Sequence, residues 1–150
     1  MMKIFVMLFF VSLFCSVSAW ESTDDRRCPP SGGNRYYYDG KGGSAGRSTT
    51  QGQNTCYYDR RGVVSGRSVT QGNTTYHYDS KGGFAGRSST TGNTTCHYDR
   101  RGVSAGRSVT QGNTTYHYDG KGGSAGRSVR TGNAVYHYDS KGRLVGRTAL

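Results

Sequence analysis

The sequence predicts an all-β protein made of six tandem 20-residue β-hairpin repeats in an antiparallel meander. Three observations predict it. From Tyr36 the same 20-residue pattern recurs six times without insertion, the sixth unit stopping at Leu150. Each unit holds two turn signals, about ten residues apart. Between the turns lie short segments rich in Thr, Tyr, Val and Ser, which favour strands, and no stretch has a helical period.

One unit reads YHYDSKGGFAGRSSTTGNTT over residues 76–95. Asp79-Ser80-Lys81-Gly82 suits a type I turn closed by a left-handed glycine. Gln71-Gly72-Asn73 suits a second tight loop, because Gly and Asn both tolerate positive φ. Five columns never vary: the Tyr of Tyr78, the Asp after it, the Gly three further on, and the Gly-Arg pair of Gly86-Arg87. A 40-residue order overlays the period. Arg60-Arg61 and Arg100-Arg101 alternate with lysine turns, and Cys56 and Cys96 alternate with Tyr. Twelve strands are expected, and an open sheet, a spiral and a closed ring all fit the pattern.

Register follows from loop length. Three residues in both loops set Asp79 opposite Gly83, Tyr78 opposite Phe84, Tyr76 opposite Gly86, and Gly86 opposite Tyr98. Tyrosine rings would then cover the glycine column on a packed face shared with Val64, Phe84 and Leu144. His77, Ala85, Arg87 and Thr95 would form the solvated, basic face. A one-residue slip in either loop exchanges the faces.

The first 35 residues are not periodic. Met1-Met2-Lys3, an apolar run from Ile4 to Cys15, and the small residues of Val17-Ser18-Ala19 make residues 1–19 a secretory signal peptide. Residues 20–35 read as a flexible leader of the mature chain, and residues 36–150 form the repeat domain. The protein is therefore expected to be secreted, to the periplasm, cell surface or medium. Beyond residue 20 no apolar run is long enough to span a membrane. Only 11 Leu, Ile, Val or Phe follow that point, too few for an aliphatic core. Export leaves Cys28, Cys56 and Cys96. Cys28 on the leader can reach Cys56, which makes these two the candidate disulfide and leaves Cys96 free.

The segment YHYDSKGRL at 136–144 resembles the YD repeat of RHS proteins, Tyr-x-Tyr-Asp-x-x-Gly-Arg-Leu. The resemblance covers residues 36–150 and is fullest in the last unit. The others carry Gly, Val or Ser where that Arg-Leu stands, and their Gly-x-x-x-Gly-Arg-Ser spacing is closer to short secreted bacterial β-hairpin repeat proteins described as β-flowers. The resemblance implies a hairpin array and export. RHS proteins build a large shell around a toxin from such hairpins, and six hairpins are too few for one.

No residue set points to catalysis. Ser, His and Asp recur in every unit in one setting, whereas a catalytic constellation needs distinct residues in a cleft. The aspartates suit turn formation. His77, His97, His117 and His137 share one column. In an open sheet they lie roughly 9–10 Å apart, too far to share a metal, whereas a closed radial arrangement could bring them together. Tyr37 and Tyr57 in the same column favour a packing role. No metal or cofactor is expected. The informative column is Arg47, Arg67, Arg87, Arg107, Arg127 and Arg147, six cations at even pitch in a chain of formal charge +11. It reads as a polyanion-binding strip, set against a plain role in solubility and packing along Tyr. The expected partner is an anionic polysaccharide or another extracellular polyanion. The alternative is a self-assembling structural or adhesive surface protein that stacks edge to edge, or a shell fragment related to RHS toxin proteins.

Overall fold

The computed structural model describes Cys28 and residues 32–150. The signal peptide and most of the leader lie outside the described residues. Twelve strands follow in order: β1 (Gly33–Asp39), β2 (Ser44–Gln51), β3 (Asn54–Tyr58), β4 (Val64–Gln71), β5 (Thr74–Asp79), β6 (Phe84–Thr91), β7 (Thr94–Asp99), β8 (Ser104–Gln111), β9 (Thr114–Asp119), β10 (Ser124–Thr131), β11 (Ala134–Asp139) and β12 (Leu144–Ala149). β1 takes in residues 33–35, the end of the expected leader. All neighbours are antiparallel, and the meander closes into a barrel in which β12 pairs with β1.

The closure reuses the register of the hairpins. Within the array, Gly126 faces Asp139, Arg127 faces Tyr138 and Ser128 faces His137. At the seam, Gly146 faces Asp39, Arg147 faces Tyr38 and Thr148 faces Tyr37. One offset runs round the whole ring, so none of the twelve strands among the described residues is left with an unpaired edge.

The aspartate turns hold the expected three-residue loop. Asp79 N donates to Gly83 O at 2.9 Å and Gly82 N donates to Asp79 O at 3.1 Å. Tyr78 faces Phe84. Beyond that pair the register departs from expectation at two points. A β-bulge between His77 and Tyr78 leaves Ala85 without a partner, so His77, not Tyr76, faces Gly86. The Gly-Asn turns hold two residues, not three, so Gln71 faces Thr74 and Gly86 faces Asp99 rather than Tyr98. Each change moves the pairing by one position, and a shift of one transfers a side chain to the other face.

The faces are accordingly re-sorted. His77 on β5 shares a face with Gly86 and Ser88 on β6, while Tyr76 and Tyr78 share the opposite face with Arg87. The small side chains take the concave side: Ser48, Ser68, Ser88, Ser108 and Ser128 are buried, whereas Arg47, Arg87, Arg107, Arg127 and Arg147 are exposed. The expectation that tyrosines cover the glycine column inside, with histidines in solvent, is thus corrected. The glycine column serves the bulge. Gly86 has φ +148°, and a Cβ there would run into the Tyr98 carbonyl oxygen.

The interior is polar. Among the described residues the one buried hydrophobic side chain is Cys56. About eight strands close on a space that side chains fill, and about sixteen leave a channel. Twelve strands lined by Gly, Ser, Thr and His fall between these limits. The closed backbone ladder and the side-chain hydrogen bonds described next stand where an aliphatic core would.

Candidate functional site

Two rings of side chains circle the barrel at mid-height, one inside and one outside. The inner ring takes one residue per strand from Tyr37 on β1 to Thr148 on β12. Ser68 Oγ lies 2.8 Å from His77 Nδ1, and His77 Nε2 lies 2.9 Å from Ser88 Oγ. The alternation continues through His97, Ser108, His117, Ser128 and His137 to Thr148 Oγ1, every step between 2.7 and 3.0 Å. Ser68 extends the line to the Tyr57 hydroxyl at 3.4 Å, and Tyr37 bonds Ser48 at 2.9 Å.

Both nitrogens of every imidazole therefore meet a hydroxyl. A neutral imidazole offers one donor and one acceptor, and a hydroxyl has one proton to donate. The line is satisfied when all its donors point one way round. Burial holds His77, His117 and His137 down at about 4 and lowers His97 as well; neighbouring imidazoles add to the shift at His77, His117 and His137. Burial also raises the Tyr57 phenol. Among the described residues no three His, Cys, Asp or Glu side chains converge on a point that could hold a metal.

The outer ring carries the arginines. Each even-numbered strand gives one Arg to this belt, and a neighbouring odd strand sets a Tyr opposite it; the two-residue Gly-Asn turn produces the arrangement within the array, and the β12–β1 pairing produces it at the seam. The guanidinium carbon lies over the ring centroid at 4.3 Å for Arg47 on Tyr58, 4.7 Å for Arg67 on Tyr78 and 5.1 Å for Arg87 on Tyr98. The series continues at 4.9 Å for Arg107 on Tyr118, 5.3 Å for Arg127 on Tyr138 and 4.7 Å for Arg147 on Tyr38. Cations in this position are attracted by the ring quadrupole. Successive arginines stand two strands apart, roughly 9–10 Å along the wall.

Among the described residues no carboxylate pairs with this belt. Asp139 takes the ion pair found among the described residues, with Arg143 at 2.7 Å. The aspartates sit in the turns at one end of the barrel, where Asp79 Oδ1 accepts the Lys81 N–H at 2.9 Å and the Gly83 N–H at 2.8 Å. The other units repeat this pair of bonds. At Asp139 the bond from the Arg143 backbone N–H, helped by the Arg143 side chain and the Lys141 N–H, holds the carboxyl below the usual range.

Cys28 and Cys56 form a disulfide, with Cα atoms 5.7 Å apart, and Cys96 is a free thiol. Cys56 faces Arg67 on the outer wall, so the bond fastens the segment before β1 to that wall at β3.

The even spacing of the arginines is visible in the sequence, and packing along Tyr is its plain reading there; which tyrosine lies under each arginine is not visible, because the expected register set Tyr against Gly. The serine–histidine ring was missed for the same reason. Its signal is the pairing of an invariant small-residue column with a histidine column across a two-residue Gly-Asn turn. No protein-family model matches this chain, and no curated protein matches it.

Proposed function

We propose that this protein is an exported, non-catalytic binding module whose outer belt takes an anionic polymer, an acidic polysaccharide or another extracellular polyanion. The observation that carries the reading is the set of six guanidinium groups at one level of the wall, each seated on a tyrosine and none paired with a carboxylate among the described residues. Stacking fixes the plane and direction of each cation, so less side-chain freedom is lost on contact. The adjoining tyrosine faces offer surfaces for sugars or bases. A chain of formal charge +11 draws polyanions from a distance set by the salt.

The repeat resemblance to secreted hairpin arrays supports export and a structural scaffold. Edge-to-edge assembly has less to rest on, because β12 pairs with β1 and among the described residues no strand edge is left over. The testing experiment compares retention on heparin-like and neutral matrices as salt is raised. Binding to the anionic matrix that weakens steeply with salt is expected. Equal retention on both, or no binding at ~50 mM salt where such contacts are strongest, would remove the reading.

A further inference from the structure

The aspartate-turn end of the barrel has a composition that the belt does not use. Four of the exposed large hydrophobic residues gather at this end: Val63 and Val103, each 60% exposed, in the turns themselves, and Phe84 at 43% and Leu144 at 46% on the first residue of the strand that follows a turn. They lie in or directly after four of the six aspartate turns around one rim. Each has cations beside it. Arg60-Arg61 precede Val63 and Arg100-Arg101 precede Val103, all four arginines exposed. Lys81 stands three residues before Phe84, and Lys141 three before Leu144.

The aspartates of this rim are engaged from below. Each directs Oδ1 into its own turn, onto two backbone N–H groups. The carboxylates therefore point into the turns while the cations extend from them. Just under the rim, Tyr78 meets Phe84 edge to face, with ring centroids 6.1 Å apart, and Tyr58 and Tyr138 occupy the same level beside Val64 and Leu144.

From this juxtaposition we propose that the aspartate-turn rim is a docking surface for an anionic lipid membrane. Val63, Phe84, Val103 and Leu144 enter the headgroup boundary, the turn lysines and arginines meet lipid phosphates and carboxylates, and the tyrosines lie at headgroup level. Apolar tips alone would serve any greasy partner. Apolar tips interleaved with cations over a tyrosine girdle match an interface that is oily within and negative at its surface. Among the described residues the opposite rim has turns that read Gln-Gly-Asn or Thr-Gly-Asn in most units, with Leu150 its exposed large hydrophobic and Arg130 beside its turns. The barrel would stand on end, with the arginines stacked on Tyr58, Tyr78 and Tyr138 lying just above the headgroups.

The test uses protein recovered after export, sedimented with vesicles of phosphatidylcholine alone or with roughly one-third phosphatidylserine. Binding to the serine-containing vesicles, and little to the others, is expected. Replacing Val63, Phe84, Val103 and Leu144 together with Ser should weaken it by about tenfold or more, because the inserted apolar surface is lost. Arg130→Gln, beside the Gly-Asn turn at the far end of the barrel, should change it by less than about twofold. Binding lost in the Arg67→Gln, Arg87→Gln, Arg107→Gln variant but kept in the rim variant would assign the attraction to the belt and overturn the proposal. A readout at the rim itself keeps the apolar run from Ile4 to Cys15 from answering in its place. Phe84→Trp in a Trp20→Phe background should shift to the blue on anionic vesicles and be quenched by brominated lipid. Rim variants that bind as tightly as the wild type, or an emission that does not move, overturn the proposal. So does a rim substitution whose one effect is to turn a dimer into a monomer.

Discussion

Arg147 lies over the ring of Tyr38, 4.7 Å from its centroid, joining the last strand to the first. It is the contact that Arg67 makes with Tyr78, also at 4.7 Å, but across a separation of 109 residues rather than 11. The seam is thus chemically equivalent to a hairpin. A double-mutant cycle at Arg147 and Tyr38 should give a coupling of about 0.5–1 kcal/mol, matching a cycle at Arg67 and Tyr78. Coupling at Arg67 with none at Arg147 means that the barrel is open in solution.

The inner ring predicts a pH response. The histidines titrate near 6.5 when unfolded and are held lower in the barrel, at about 4 for His77, His117 and His137. Between these values the unfolded chain binds more protons, so stability rises with pH. Their contribution is complete above about 6.5 and is lost as pH falls through about 4. A proton added to one imidazole makes both its nitrogens donors, and a neighbouring hydroxyl must then turn away. Melting temperature should hold level above neutrality and drop steeply between those limits. A protein whose four histidines are all replaced by Gln should show a shallower decline there, leaving the fall of the carboxylates at lower pH. Histidine resonances titrating near 6.5 in the folded protein would contradict the ring.

The bulge predicts a difference between two glycines. Gly86 combines φ +148° with a backbone carbonyl where its Cβ would stand, whereas Gly92 has φ +56° and open space around it. Gly86→Ala should cost about 2–3 kcal/mol and Gly92→Ala about 1 kcal/mol. Chemical denaturation of both variants decides it. Equal losses mean that the column does not sit in a bulge.

These contrasts mark where the sequence is readable. The period from Tyr36, the strand-forming segments and the Asp79–Gly82 turn are local, and Tyr78 opposite Phe84 follows from that turn alone. Ala85 is not readable as a bulge, because nothing in its own chemistry distinguishes it from a paired strand residue. Gln71-Gly72-Asn73 fits loops of two or three residues, and the choice decides whether Arg87 faces Tyr98 or lies one position away. Closure is less local still. It depends on twist and stagger summed over twelve strands, which no pair of residues specifies. At the candidate site, the pitch of Arg47 through Arg147 is written in the period. The tyrosine beneath each arginine, and the inward turn of the histidines, depend on those two register steps.

The aspartate turns predict a local cost. Asp99 accepts the Arg101 N–H at 2.8 Å and the Val103 N–H at 2.9 Å, and Asp99→Ala removes both bonds. A loss of about 1–2 kcal/mol is expected in thermal unfolding, and Asp99→Asn, which keeps one acceptor oxygen, should lose less. Indifference to both substitutions would mean that the carboxylate does not hold the turn.

The polyanion reading is tested most directly by the salt dependence of heparin affinity, compared between wild type and the Arg67→Gln, Arg87→Gln, Arg107→Gln triple variant. Three stacked cations are removed while the strands stay polar and the turns are untouched. If each contact releases counterions in full, the slope of log affinity against log salt should shrink by roughly two to three units, and affinity at low salt should fall with it. A triple variant that folds normally and keeps both the affinity and the slope of the wild type would contradict the account, returning the arginine belt to a role in packing and solubility.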